Sequence, residues 1–115
     1  MNIAVLSLDI EDWYHLDYLS GSHASRTHSM LDGLDVYQEI LDSYGIRSSF
    51  FVLGELVPEI KHKLRELAGD GHDIGSHGQC HTRPLTMPVE EFEKEIEACK
   101  NNLEMALGQS VHGFR

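Results

Sequence analysis

Ile3-Ala4-Val5-Leu6-Ser7-Leu8, running straight into Asp9-Ile10-Glu11-Asp12, is the stretch on which the fold turns. A nearly continuous apolar run of this length suits a strand buried on both faces, as in a parallel sheet. Three carboxylates then fall at the C-terminal end of that strand, where open α/β sheets and β/α barrels collect their active groups. If the chain stays extended past Asp9, Asp9 and Glu11 face the same side. If it turns at Ile10, Asp12 swings into the site instead, and Asp12 can also serve as the cap of a helical turn through Trp13, Tyr14 and His15.

The rest of the chain repeats the alternation. A helix is expected from Asp32 as N-cap through Leu34, Tyr37, Ile40, Leu41 and Tyr44, stopping at Gly45. Residues 46 to 53 read as a second strand ended by Gly54, and a second helix opens at Pro58 and buries Ile60, Leu64, Leu67 and Ala68. A short strand at Asp73-Ile74 follows. The last helix, 88 to 107, buries Val89, Phe92, Ile96, Cys99, Leu103 and Leu107, closes at Gly108 and leads to a further strand over 111 to 115. Repeated β/α alternation predicts a parallel sheet with right-handed crossovers, whose strand ends bring Asp9, His77 and Arg115 to one edge. Residues 16 to 33 show no sustained period and read as an exposed loop bordering a groove, with His23 and His28 solvated.

Beyond the third strand lies Gly75-Ser76-His77-Gly78-Gln79-Cys80-His81. On a helical turn, residues i and i+4 share a face with Cβ atoms ~6 Å apart, so both imidazoles reach one cation at the ~2.0–2.1 Å of a Zn–N bond. Such a pair needs a carboxylate from elsewhere, and the acids after the first strand can supply it. Cys80, which points away from His81 on such a turn, is expected to pack, and His72 is expected to be structural.

Composition bounds the function. A chain of 115 residues, 41% apolar and 24% charged, suits one small globular domain and is too short for most closed barrels. Its 19 acidic against 9 basic residues give a net charge of −10, a field that repels polyanions and argues against nucleic acid as a partner. Two cysteines, Cys80 and Cys99, make no disulfide framework. The N-terminus lacks the basic flank and long apolar core of a signal peptide, and no run approaches the ~20 apolar residues of a membrane span, so a cytoplasmic chain is expected.

Four ordered pieces carry a resemblance: Leu8-Asp9-Ile10-Glu11-Asp12-Trp13, Ser48-Ser49-Phe50-Phe51-Val52-Leu53-Gly54, Gly71 through His81, and Gly113-Phe114-Arg115. Together they resemble the polysaccharide deacetylases of the NodB-homology type, carbohydrate esterase family 4, across essentially the whole chain. The acid-rich first piece is similar to the subgroup associated with bacterial exopolysaccharide loci. The resemblance implies a distorted (β/α) barrel, of which residues 1–115 form the N-terminal part. It further implies a divalent metal, usually zinc, held by His77, His81 and either Glu11 or Asp12, with Asp9 as catalytic base and Arg115 holding that base. Trp13 and Tyr14 are the candidates for substrate contact. The implied reaction is hydrolysis of N-acetyl groups from an amino-sugar polysaccharide or oligosaccharide, with Asp9 taking the proton of a metal-activated water. The family's later proline, aspartate and leucine-x-x-histidine motifs have no counterpart in these residues, so the partner expected to complete the site is the C-terminal half of the same domain. Two rival readings are a metal-independent hydrolase of a cyclic amide or other C–N bond on the same fold, and a non-catalytic module that binds sugar or metal.

Overall fold

A computed structural model describes residues 2–19 and 25–115; the expectations for Ser20, Gly21, Ser22 and His23 lie outside the described residues. Three strands, β1 (Ser7–Ile10), β2 (Ser49–Val52) and β3 (Asp73–Ser76), alternate with three helices, α1 (Leu34–Ser43), α2 (Val57–Gly69) and α3 (Val89–Leu107). The strands form one parallel sheet in the order β1-β2-β3, with Asp9 opposite Phe51 and Phe51 opposite Gly75. Phe114 adds a parallel bridge to Ser76, which carries Arg115 to the same sheet edge as the strand ends. The α/β alternation read from the sequence is therefore the observed architecture.

The core is assembled by period. Phe50 and Val52, two apart on β2, are fully buried, as are Leu64 and Leu67 on α2 and Cys99 and Leu103 on α3. α2 carries Pro58 in its first turn, where the missing N–H costs nothing. α3 ends on Gly108 in the left-handed region at φ 69°, whose amide donates to the Glu104 carbonyl. Cys99 packs as expected, its thiol donating to the Val52 carbonyl at 3.3 Å.

Several local expectations are corrected. The first strand pairs only from Ser7, and Ile3 and Val5 are 82% and 87% exposed. The ladder with β2 begins where the Ser49 amide donates to the Leu6 carbonyl, and among the described residues the segment before it has no neighbouring strand. β2 is likewise shorter than the 46 to 53 run. α1 is not capped by Asp32: a 3-10 turn over Met30–Gly33 precedes it, capped by Ser29, and the Asp32 carboxylate accepts from the Ser29 amide in a reciprocal capping box. Ile40, Tyr44 and Val89 are exposed rather than core; α1 turns Leu34, Gln38 and Leu41 inward instead. Among the described residues no helix is long and apolar enough to cross a membrane.

Leu103→Ala is expected to cost ~2–5 kcal/mol in denaturant unfolding, because a fully buried leucine leaves a cavity when truncated. Met105→Ala, two positions along the same helix but 81% exposed, should stay within ~0.5 kcal/mol. Equal losses at the two positions would contradict the packing of α3.

Candidate metal centre

The sheet register sets the site. β1 stays extended through Ile10, so Asp9 and Glu11 lie on the same side, and the chain turns only at Asp12. Asp12 is 2% exposed and acts as N-cap of the 3-10 turn Trp13–His15. Its Oδ1 accepts from the Trp13 amide at 2.8 Å and the Met30 amide at 2.9 Å, and its Oδ2 accepts from the Ser29 hydroxyl. Burial pushes this carboxyl up, but the Met30 amide, the Ser29 hydroxyl and the Trp13 amide outweigh it, leaving Asp12 below the usual carboxylate range. Asp12 is thus consumed by the backbone it organises, and Glu11 is the acid that meets the histidines.

Glu11 Oε2 lies 2.9 Å from His81 Nε2 and 3.8 Å from His77 Nε2. Among the described residues, Glu11, His77 and His81 form a cluster whose ligand atoms all lie within 4.8 Å of one another. Bonds of ~2.0–2.1 Å in a tetrahedron require ligand edges of ~3.3 Å, which these two separations bracket. The rings are also oriented. His77 Nδ1 donates to the Arg115 carbonyl at 2.7 Å and His81 Nδ1 donates to the His15 carbonyl at 2.9 Å. A carbonyl can only accept, so each ring donates from Nδ1 and turns its Nε2 toward Glu11, the nitrogen whose lone pair a neutral imidazole would offer a cation. Glu11 Oε2 is itself buried without a hydrogen-bond donor. A carboxylate oxygen and two ring nitrogens this close call for a proton or a metal cation between them, and the donor set of two imidazoles and one carboxylate suits zinc or a similar divalent ion.

The route by which the imidazoles meet corrects the helical-turn expectation. Residues 77 to 81 form an irregular loop, not a helix. Gly78 at φ 83° and His81 at φ 58° reverse the chain and bring the ring centroids to 5.2 Å. Cys80 is exposed rather than packed, and burial, then Glu95 and Glu55, raise its thiol, so it remains protonated and a poor soft ligand.

Asp9 sits beside this cluster. Its Oδ1 is 3.5 Å from Arg115 Nη1, which also donates to Ser7 Oγ at 2.8 Å; the guanidinium lies over the Phe51 ring at 5.8 Å. Of the two aromatics after the acids, Tyr14 lines a groove of about 490 Å³ together with His81, Thr82, Arg83 and Thr86. Trp13 instead donates its Nε1–H to the His28 carbonyl at 3.0 Å, pinning the loop that delivers Ser29 and Met30 to Asp12. A second, mostly apolar groove of about 420 Å³, lined by His77, Arg115, Phe92 and Phe114, adjoins it and shares His81, Thr82 and Arg83. His72 is remote and structural, its Nδ1 accepting from the Ser48 amide at 3.2 Å.

His15 escaped the sequence reading. Its Nδ1 accepts from the Asp12 amide at 2.7 Å, its Nε2 lies 2.6 Å from Glu55 Oε1, and its carbonyl holds His81. The available signal was its place three residues after the Asp12 cap, where a side chain reaches back to the cap amide.

A two-histidine, one-carboxylate cluster that could hold a metal ion thus lies at the C-terminal ends of parallel strands, with an aspartate-arginine pair beside it. The polysaccharide deacetylase family model matches residues 32–115, and the chain belongs to that family. Solved structures agree on the fold. A CE4 family pseudoenzyme from Bacillus anthracis superposes with a TM-score of 0.74 at 19% identity, covering 96% of this chain and 33% of that one. The peptidoglycan deacetylase PdaC from Bacillus subtilis gives 0.75 at 20% identity, with 96% and 46% covered. A family 4 acetyl xylan esterase from Clostridium thermocellum, solved with a cobalt ion, gives 0.72 at 19% identity, again with 96% and 46% covered. An uncharacterized 30.6 kDa protein of Geobacillus stearothermophilus is 22% identical over 95 residues, 83% of this chain and 33% of its own length. The chain therefore spans a third to under a half of these relatives, and forms the N-terminal part of the CE4 (β/α) barrel.

Asp12→Ala strands the Trp13 and Met30 amides and is expected to cost ~1–3 kcal/mol of stability at neutral pH. Because the folded carboxyl lies below its unfolded value of ~3.9, the stabilisation is fully present above that value and is lost as pH falls through the folded one. Asp12→Asn should accordingly narrow its deficit against wild type as unfolding is measured from pH 6 down to pH 3. A deficit that grows on acidification would contradict the ionised cap.

Proposed function

We propose that this chain carries the metal-binding and base-bearing part of a polysaccharide deacetylase that removes N-acetyl groups from an amino-sugar polymer. The observation that carries the reading is the convergence of Glu11 Oε2, His77 Nε2 and His81 Nε2, with Asp9 and Arg115 alongside. Glu11, His77 and His81 are the ligands of a divalent cation, zinc being the ion best suited to the donor set. Such a cation supplies Lewis acidity, polarising an acyl oxygen and acidifying water.

The protein's own groups do the rest. Asp9 Oδ1 is buried and has no hydrogen-bond donor, so it is available to take the proton of a water attacking the acetamide carbon. Arg115, anchored by Ser7, holds positive charge beside Asp9 and fixes the carboxylate in place. Tyr14 lines the groove with the Arg26 guanidinium 4.1 Å over its ring, and Thr82, Arg83 and Thr86 along the same groove offer hydroxyl and guanidinium partners for a sugar's substituents. Cleavage of the acetamide C–N bond, with the proton taken from water passed on to the departing nitrogen, releases acetate and leaves a free amine on the polymer. The resemblance of the Leu8–Trp13 stretch to the exopolysaccharide-associated subgroup supports an exopolysaccharide as the polymer.

The experiment measures acetate release from N-acetylglucosamine oligomers by the full-length zinc-loaded protein. Asp9→Asn should lose ~10²–10⁴-fold in turnover while keeping its zinc, whereas His77→Ala and His81→Ala should lose zinc and turnover together. Undiminished turnover in Asp9→Asn removes Asp9 as base. A wild-type protein that binds zinc and oligosaccharide without releasing acetate favours a binding module, and one that releases no acetate but opens a cyclic amide without metal favours the cyclic-amide hydrolase.

A further inference from the structure

Two backbone positions in the loop that carries the imidazoles have positive φ. Gly78 accepts φ 83° freely, but His81 at φ 58° does not, and such a conformation persists only where the surroundings over-determine it. The loop's carbonyls are taken by the turn after β2: the Gly54 amide donates to the Gly78 carbonyl at 2.9 Å and the Glu55 amide to the Gln79 carbonyl at 3.0 Å. A Cβ at Gly54 would lie 2.9 Å from the Cys99 Cα, so loop, turn and α3 are in close contact there. Asn102 Nδ2 of α3 adds a hydrogen bond to Gln79 Oε1 at 3.2 Å.

The loop's amides go elsewhere. Glu95 Oε2 accepts from the Gln79 amide at 3.2 Å and from the Cys80 amide at 3.2 Å. Two successive N–H groups converging on one oxygen form an anion-binding concavity, and hydrogen bonds to a carboxylate are about twice as strong as neutral ones. Glu95 projects from a helix that Cys99 and Leu103 lock into the core, so its carboxylate is a fixed point. It lies outside the Glu11, His77, His81 cluster and cannot substitute for a ligand.

We propose that Glu95 is a positioning residue for the metal centre: by clamping the Gln79 and Cys80 peptides it sets the left-handed turn at His81 and the angle between the two imidazoles. Its carboxylate thereby tunes metal affinity and geometry without touching the cation. This inference rests on the metal-centre reading above.

The test uses the full-length protein as wild type, Glu95→Ala, Glu95→Gln and, as a control on the exposed face of α3, Glu93→Gln. Amide hydrogen exchange of Gln79 and Cys80 is read in metal-free protein, zinc affinity by chelator competition, and site geometry by the visible spectrum of bound cobalt(II). Glu95→Ala should expose the Gln79 and Cys80 amides to faster exchange while Phe50 and Leu64 stay protected. It should also weaken zinc ~10–100-fold, as loss of an outer partner does, and shift the cobalt bands. Glu95→Gln, which keeps one acceptor oxygen and the side-chain shape, should fall between, and it carries the test if the alanine variant does not fold. Glu93→Gln should match wild type. Wild-type zinc affinity and an unshifted cobalt spectrum in the Glu95 variants would overturn the positioning role alone. A wild-type protein that binds neither zinc nor cobalt would overturn the metal-centre reading, and the positioning role with it.

Discussion

A carboxylate buried to 2% exposure must find donors or stay neutral, and Asp12 finds them in the Trp13 and Met30 amides and the Ser29 hydroxyl. That constraint stops β1 at the point where Glu11 still faces the site and bends the following residues into a 3-10 turn. Through the Asp12 amide it fixes His15, whose carbonyl then orients His81. One structural acid thus determines where a neighbouring acid and a distant imidazole meet. The loop around Ser29 and Met30 takes part as well, because it supplies two of the three donors.

The site's electrostatics follow from the same crowding. Three carboxylates fall within four residues of a chain whose net charge is −10, yet each has a different destination. Asp12 is neutralised by backbone dipoles, Asp9 faces the Arg115 guanidinium, and Glu11 is left among acceptors. The division separates a structural acid, a candidate base and a candidate ligand by environment rather than by residue type. Both imidazoles donate Nδ1–H to a main-chain carbonyl, so both Nε2 atoms and the Glu11 oxygen converge where a cation would join them.

Much of this was legible in the sequence because it follows from period and chemistry. The βα alternation, the buried stripe of Leu64, Leu67, Cys99 and Leu103, and the left-handed stop at Gly108 all rest on local signals that tertiary contacts reinforce. The errors have tertiary causes. Ile3 and Val5 look like strand interior, but pairing begins only where β2 offers a partner. Ile40, Tyr44 and Val89 fit a helical period yet point outward, because α1 and α3 each pack on a narrower stripe than their apolar residues mark. Asp32 and Ser29 are both good caps, and only the turn geometry chooses Ser29. The histidine spacing suggested a helical turn; the rings instead converge through positive φ at Gly78 and His81, a conformation imposed by distant groups and unreadable from a four-residue spacing. The roles of His15 and Glu95 depend on contacts between separate elements, which no local pattern encodes.

An anomalous-diffraction map of crystals grown with zinc decides most directly whether Glu11 or Asp12 joins His77 and His81 around one cation. The proposed ligand set gives a single strong peak ~2.0–2.2 Å from Glu11 Oε2 and from both Nε2 atoms, with Asp12 still bonded to Ser29, Trp13 and Met30. A peak bonded to Asp12, or no peak between the two imidazoles, would contradict it.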